Sequence, residues 1–316
     1  MTPATAHEPS PFTRILCPVD FSRHSRAALQ QAAAIARQAK GRLTVLFVAD
    51  PLLSAAAAAA ELDTARLAAK TRRELRDFAA RATARSGLKR SQIELEISEG
   101  ATAGEILRIA RQRPVDLVAM GTQGLSGGRR IVFGSTTQRV LRSAEVPVLA
   151  VPAGSRVRPG RSWPGGEILA AVELGASLPG DAASAALVAE WTKASLTLLH
   201  VVPPMQLPGW VGSGLRRHDR TRANEARKAL EEAAARLNVR TVTTCEVVIG
   251  QPAEQIAVRS GDRRIALVVL TLRTIQGLIV GVPQGTTTYR VLSSASVPVL
   301  ALPAAWRGQA GESART

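Results

Sequence analysis

The chain has little with which to form covalent staples or an aromatic core. Only 2 of its 316 residues are cysteine, Cys17 and Cys245. Two thiols so far apart make no disulfide framework. Both lie in strand-like runs and are expected to be buried small hydrophobes in a reducing cytosol. Aromatic residues make up 3%, so Ala, Val, Leu and Ile must build the core that a 46% apolar content allows. The four histidines are scattered, and no His/Cys/Asp cluster has metal-ligand spacing. No uninterrupted apolar run reaches the roughly 18 residues of a spanning helix, so no membrane partner is expected. Residues 1–10 lack a basic segment followed by an apolar one, so a secretory leader is not expected and a cytoplasmic location is. Neither the Gly-x-Ser-x-Gly elbow nor the Gly-Lys-Ser/Thr ending of a P-loop occurs. Strong phosphoryl-transfer chemistry is therefore not indicated.

Acidic charge is also scarce. The net charge is +16, and lysine supplies only five of the 41 basic residues. Residues 1–153 carry a balance of +9 and residues 154–316 a balance of +7, so no segment concentrates the excess. Arg72-Arg73, Arg216-Arg217 and Arg263-Arg264 fall in helical or turn-like stretches. Solvated helix faces account for them better than a nucleic-acid footprint does.

An internal repeat with a period near 150 residues is present. Ile15–Asp20 corresponds to Ile168–Glu173, Leu43–Val48 to Leu196–Val201, and Asp116–Met120 to Ala266–Leu270. Between Gly134–Ala153 and Gly285–Ala304, 15 of 20 positions are identical. So long a period signals a duplicated domain, since solenoid units run about 20–50 residues. The expected division is residues 1–153, a linker at 154–166 rich in Gly, Pro and Arg, residues 167–304, and a disordered tail at 305–316.

Each copy alternates short apolar runs with helix-period stretches. Strands are expected at 14–19, 43–48, 92–97, 116–120 and 147–151, then at 167–172, 196–201, 243–248, 265–270 and 298–302. Helices are expected near 23–40, 60–86, 103–112 and 135–143, then 181–193, 217–237, 253–260 and 286–293. This alternation predicts an α/β fold: two tandem, open, parallel five-stranded sheets of Rossmann type, with helices on both faces. Gly41 and Gly87 read as helix stops. Ala55–Ala60 reads as the start of a helix beside the site. Pro147 and Pro298 open the fifth strands, which must be edges or begin outside the pairing. Those strands are the expected seam of an intramolecular pseudo-dimer.

One stretch carries chemistry. Asp116–Met120 reads as a buried strand, followed by Gly121-Thr122-Gln123-Gly124 and, nine residues on, Gly134-Ser135-Thr136 at a helix start. Glycines let backbone N–H groups approach closely, hydroxyls donate, and a helix N-terminus adds unpaired donors and a positive dipole end. Arg129 and Arg130 add charge. The arrangement suits a phosphate. His24 follows Asp20 at a helix start, where a solvated histidine is expected rather than half of an acid–base pair.

Ile15–Ser22 (ILCPVDFS), Met120–Thr136 (MGTQGLSGGRRIVFGST) and the closing Val146–Val151 together resemble the universal stress protein family, in its tandem form. The Gly-x-x-Gly, nine residues, Gly-Ser pattern is that family's ATP-binding signature. The resemblance implies a cytoplasmic stress-response regulator holding ATP or a related adenine nucleotide, with or without Mg2+. It places Asp20 and the Val48 backbone on the adenosine. Gly121, Gly124, Gly134, Ser135 and Thr136 go around phosphates and ribose. Pro18, Val19, Met120 and Arg130 complete the lining. Gln123 and Thr136 depart mildly from the common pattern, without removing a backbone donor.

The second copy reads Thr271-Leu272-Arg273-Thr274, ten residues, then Gly285-Thr286-Thr287. It has lost both glycines of the first pair, it carries Glu173 for Asp20, Ala171 for Pro18 and His200 for Phe47, and Pro283 removes a donor. It is not expected to bind ATP in the same way. Two alternatives stay open: a slow ATP-hydrolysing or nucleotidyl-transfer enzyme, and a nucleotide-free scaffold whose basic surface binds nucleic acid. A homo-oligomer and a downstream protein partner are compatible with all of these.

Overall fold

The computed structural model describes residues 10–60, 63–123, 134–157, 161–205, 215–272, 286–304 and 306–308. The first half contains β1 (Arg14–Pro18), α1 (Arg23–Gln38), β2 (Arg42–Ala49), α2 (Pro51–Ala59), α3 (Thr64–Thr83), β3 (Ile93–Glu99), α4 (Thr102–Gln112), β4 (Leu117–Gly121), α5 (Ser135–Ser143) and β5 (Val148–Val151). The second contains β6 (Glu167–Ala171), α6 (Leu178–Thr192), β7 (Leu196–Val202), α7 (Leu215–Ala235), β8 (Thr243–Ile249), α8 (Pro252–Ser260), β9 (Ile265–Leu272), α9 (Thr287–Ser294) and β10 (Val299–Pro303).

The two halves share one ten-stranded sheet, in the order β3-β2-β1-β4-β5-β10-β9-β6-β7-β8. Every neighbouring pair is parallel except the seam. There β5 and β10 run antiparallel, pairing Leu149 with Leu300, Val148 with Ala301 and Ala150 with Val299. The fold is thus two Rossmann-type halves joined at their fifth strands into a pseudo-dimer. Pro147 and Pro298 stand just outside those strands. Their carbonyls accept from Val118 and Val268 at 2.9 and 3.0 Å, and the missing prolyl N–H falls where no ladder bond is required.

Strand side chains alternate between two cores. Cys17, Val45, Ala119 and Leu149 join α1 and α3, together with Leu300 and helices α6 and α7 of the other half. Leu16, Leu46, Val118 and Met120 join α4 and α5, with Val299 and helices α8 and α9. Each core runs through both halves because the sheet does.

Several local expectations change. The helix expected over 60–86 is α3, and Ala55–Ala60, expected to start a helix, instead closes the separate α2. Asp50 Oδ1 accepts from the Leu52 amide at the start of α2, and Asp63 Oδ1 accepts from Arg66 to cap α3, both at 2.9 Å. The left-handed residue after α1 is Lys40 (φ 52°), not Gly41. Gly41 serves close approach instead: a Cβ there would lie 2.1 Å from the Thr13 carbonyl oxygen. Gly87 does take a positive φ of 73° beyond α3. Cys17 is buried and its thiol pKa is pushed far up by desolvation, whereas Cys245 is only partly buried on edge strand β8.

The linker is docked. Trp163 is 3% exposed, and its Nε1 donates to Gln31 Oε1 at 2.7 Å. Its backbone N–H donates to Gln38 Oε1, also at 2.7 Å. Both glutamines belong to α1. Residues 305–316 are described only at 306–308, where the Trp306 ring stacks on Phe12 at 5.8 Å.

Candidate functional site

The strand order reverses direction between β1 and β4: β1 leads outward to β2 and β3, β4 leads to β5. Ligand crevices of open parallel sheets lie at such a point, past the carboxyl ends of the strands. Asp20 follows β1, Val48 is near the end of β2, and Gly121 ends β4. All three are partly exposed.

The β1–α1 turn is built by its own side chains. Asp20 Oδ1 accepts from the Ser22 amide at 3.1 Å, and Ser22 Oγ accepts from the Ser25 amide at 3.1 Å, capping α1. Between them Phe21 takes φ 63°, a strained conformation for so large a residue. Its ring is held by Phe47 at 4.9 Å and Phe78 at 5.4 Å. The turn fixes the Asp20 carboxylate at the lip of the crevice.

Backbone alternation places Val48. The Leu46 carbonyl faces β1 and accepts from Val19 at 2.8 Å, while the Ala49 carbonyl faces β3 and accepts from Gly100 at 3.1 Å. Val48 shares the Leu46 side, one pleat further on, so its main-chain polar groups face the space beyond the end of β1. That geometry suits reading the edge of a planar base.

Gly121 lies on the first turn of α1. A Cβ at 121 would sit 2.8 Å from the His24 carbonyl carbon and from its Cβ. Thr137 Oγ1 donates to the Gly121 carbonyl at 2.8 Å, tying α5 back to β4. Gly134 is the N-cap of α5 and leaves that terminus without a side-chain cap. Ser135 is exposed and Thr136 partly so, at a helix start with unpaired donors. These features fit an anionic group. Pro18, Val19 and Met120 are buried, so only their backbones can reach the crevice. Gly124 and Arg130, with Arg129, lie outside the described residues.

His24 corrects an expectation. It is 8% exposed rather than solvated, and its Nδ1 has no hydrogen-bond partner. Burial, helped by the Arg23 charge, lowers its pKa, with Asp20 opposing. Sequence reading missed it because only tertiary packing brings β4 onto α1.

The second half differs at each corresponding place. β9 continues through Thr271 and Leu272, which pair with Leu302 and Pro303 of β10, where β4 stops at Gly121. Thr286 Oγ1 accepts from the Tyr289 amide at 3.3 Å, so α9 caps itself. His200 Nδ1 lies 3.0 Å from the Val172 carbonyl oxygen at the β6 end. Arg273, Thr274, Pro283 and Gly285 lie outside the described residues.

The universal stress protein family model matches residues 11–152 and again 167–303. The chain belongs to the universal stress protein family. A curated member, universal stress protein MJ0531 of Methanocaldococcus jannaschii, is 30% identical over 142 residues, covering 44% of this chain and 82% of that protein. Universal stress protein YxiE of Bacillus subtilis is 26% identical over 146 residues, 44% of this chain and 99% of its own. A solved universal stress protein from Archaeoglobus fulgidus DSM 4304 shares the fold, with a TM-score of 0.58 at 18% identity, over 93% of this chain and 98% of that one. Single-domain family members thus correspond to half of this chain. Among the described residues no helix is long and apolar enough to cross a membrane.

Proposed function

We propose that the first half of this universal stress protein binds an adenine nucleotide, ATP or a close relative with or without Mg2+. The observation that supports it is the difference between two copies of one helix start. In the second copy Thr286 satisfies the N-terminus of α9 from within the chain. In the first copy Gly134 leaves α5 without such a cap, beside a strand that stops at a glycine. A terminus left open in one copy and closed in the other suits an external anion in the first. Asp20 would accept from a ribose hydroxyl or exocyclic amine, the Val48 backbone would read the base edge, and Gly121, Gly134, Ser135 and Thr136 would face ribose and phosphates.

On this reading the protein is a cytoplasmic regulatory binder, not a dedicated enzyme. Asp20 is the candidate base at the lip of the crevice, and hydrolysis would be slow. Nucleotide occupancy would alter a surface read by a downstream protein, and the second half would serve as structural partner. Calorimetry with ATP tests this. A nucleotide bound by the wild type and lost in Gly134→Asp supports it. No ATP affinity in the wild type, or an ATP stoichiometry left unchanged by Gly134→Asp, overturns it.

A further inference from the structure

Four strands along the sheet from β4, a cleft of about 600 Å³ opens beside the amino end of β6. Three separate pieces of chain wall it. Arg161 comes from the linker, Lys193 from the end of α6, and Arg263 and Arg264 from the turn before β9. Glu167 is the one carboxylate in the lining, against four cations. Its Oε1 is held by the Thr197 hydroxyl on β7.

The first half shows how this place is closed when it has no such role. There Asp116 Oδ2 accepts from the Thr13 amide at 2.9 Å, the Thr13 hydroxyl at 2.7 Å and the Arg14 amide at 2.9 Å. Its Oδ1 pairs with the Arg14 guanidinium at 2.7 Å. One carboxylate therefore seals the start of β1 against β4. Register fixes the counterparts. Leu117 pairs with Ile15, and Leu267 pairs with Ile168. Hence Ala266 stands for Asp116, Gly166 for Thr13 and Glu167 for Arg14. The sealing carboxylate and its cationic partner are both gone. The pairing of β6 with β9 slips between Glu167 and Ile168, and the Arg264 carbonyl takes over the Glu167 amide at 2.8 Å. Such slips re-aim side chains. Here the residues before the slip are Arg263 and Arg264, and both line the cleft.

We propose that this cleft binds a short polyphosphate chain, free or carried by a small molecule. Its volume is that of a small-molecule site. Cations on three separate elements call for a ligand with several linked charges, since a single carboxylate would reach one of them. Guanidinium forks match phosphate oxygens. The Ser162 and Ser195 hydroxyls add neutral donors at the rim. No aromatic ring lines the cleft among the described residues, so nothing offers a base the stacking surface of single-strand binders. Asp262 engages Arg264 at 3.0 Å on the exposed side, and a bound phosphate would compete with it. Binding would tie the linker to the second half through Arg161.

Calorimetry with tripolyphosphate at low salt tests this, on a Gly134→Asp background so that the open helix terminus of the first half does not contribute. The expected result is one tripolyphosphate per chain, weakened at least tenfold by Arg161→Glu with Lys193→Glu. Arg66→Glu with Arg73→Glu makes the same charge change on the exposed face of α3 and should cost less than twofold. Absence of tripolyphosphate binding, or an equal loss in the α3 variant, overturns the proposal. ATP as a second probe separates the sources. Affinity equal to tripolyphosphate supports recognition of the phosphate chain itself, whereas binding of ATP without tripolyphosphate overturns it. Neither outcome depends on whether the first half binds nucleotide.

Discussion

Gly121 and His24 are in backbone contact: a Cβ on Gly121 would lie 2.8 Å from the His24 carbonyl carbon. The glycine that ends β4 therefore has a packing duty as well as a place in the crevice. It lets the first turn of α1, and with it the Asp20 turn, sit directly on the strand.

Gly121→Ala should destabilise the protein by about 1–3 kcal/mol, because the added methyl meets main chain that cannot swing away. Urea unfolding measures it. A stability equal to wild type would show that α1 can retreat from β4. The same variant is a poor probe of nucleotide binding, since it moves the whole lip.

Gly134→Asp separates stability from binding. Gly134 has φ −60° and ψ 135°, suitable for a capping carboxylate. An added Cβ meets the Thr122 carbonyl oxygen at 3.3 Å, a tight but adjustable contact. Stability should stay within about 0.5 kcal/mol of wild type. ATP affinity should fall at least tenfold, because the carboxylate takes the place of the anion. Thermal melts and calorimetry on one preparation read both.

His24 predicts a pH dependence. Burial and Arg23 lower its folded pKa below the ordinary 6.5, so the unfolded chain binds the proton more readily. Stability should be full above pH 6.5 and fall as pH drops below it, until the folded pKa is passed. Melting temperature against pH should show this slope in the wild type and lose it in His24→Asn. The ring shifts of His24 in NMR give the folded value directly.

Glu105 predicts a second, more acidic slope. Hydrogen bonds from Arg108 and Ser98 hold its carboxyl at about 2, against 4.5 for an unperturbed glutamate. The depressed carboxylate stabilises the fold above pH 4.5, and that contribution is lost as pH falls towards 2. Glu105 is only partly buried and its partner Arg108 is exposed, so the effect is small and screened by salt. Glu105→Gln should flatten the acid limb of the stability profile.

Gln31→Leu tests the docked linker. It would leave the buried Trp163 Nε1 without its acceptor, at a cost of about 1–3 kcal/mol. Trp163 also lies 6.0 Å from the Trp191 ring of the second half, so tryptophan fluorescence should report the loosening. Unchanged stability and emission would show that the linker does not clamp the two halves.

Legibility followed range along the chain. The strands were readable because a buried parallel strand is a short apolar run, and the seam because Pro147 and Pro298 cannot sit inside a ladder. The duplication was readable by plain comparison, and with it the loss of Gly121 in favour of Thr271. Places decided by capping hydroxyls or carboxylates were less so. The break between α2 and α3 rests on Asp63, which in sequence looks like one more polar residue in a helical stretch. The closure of α9 by Thr286 is a single hydrogen bond that the near-identical Gly134 and Gly285 segments conceal.

By itself, the sequence determined what periodicity and repetition can carry: two α/β halves, their family, and a glycine-rich strand-to-helix passage in one half alone. These depend on local rules of burial, backbone freedom and turn chemistry. Only the tertiary structure decided which distant groups meet. It set His24 under Gly121, turned Val48 towards the crevice, seated Trp163 on α1, and exchanged the Asp116 seal of the first half for an arginine-lined cleft in the second. Those outcomes depend on strand order, register and close packing, which bring together residues a hundred positions apart and which no local pattern encodes.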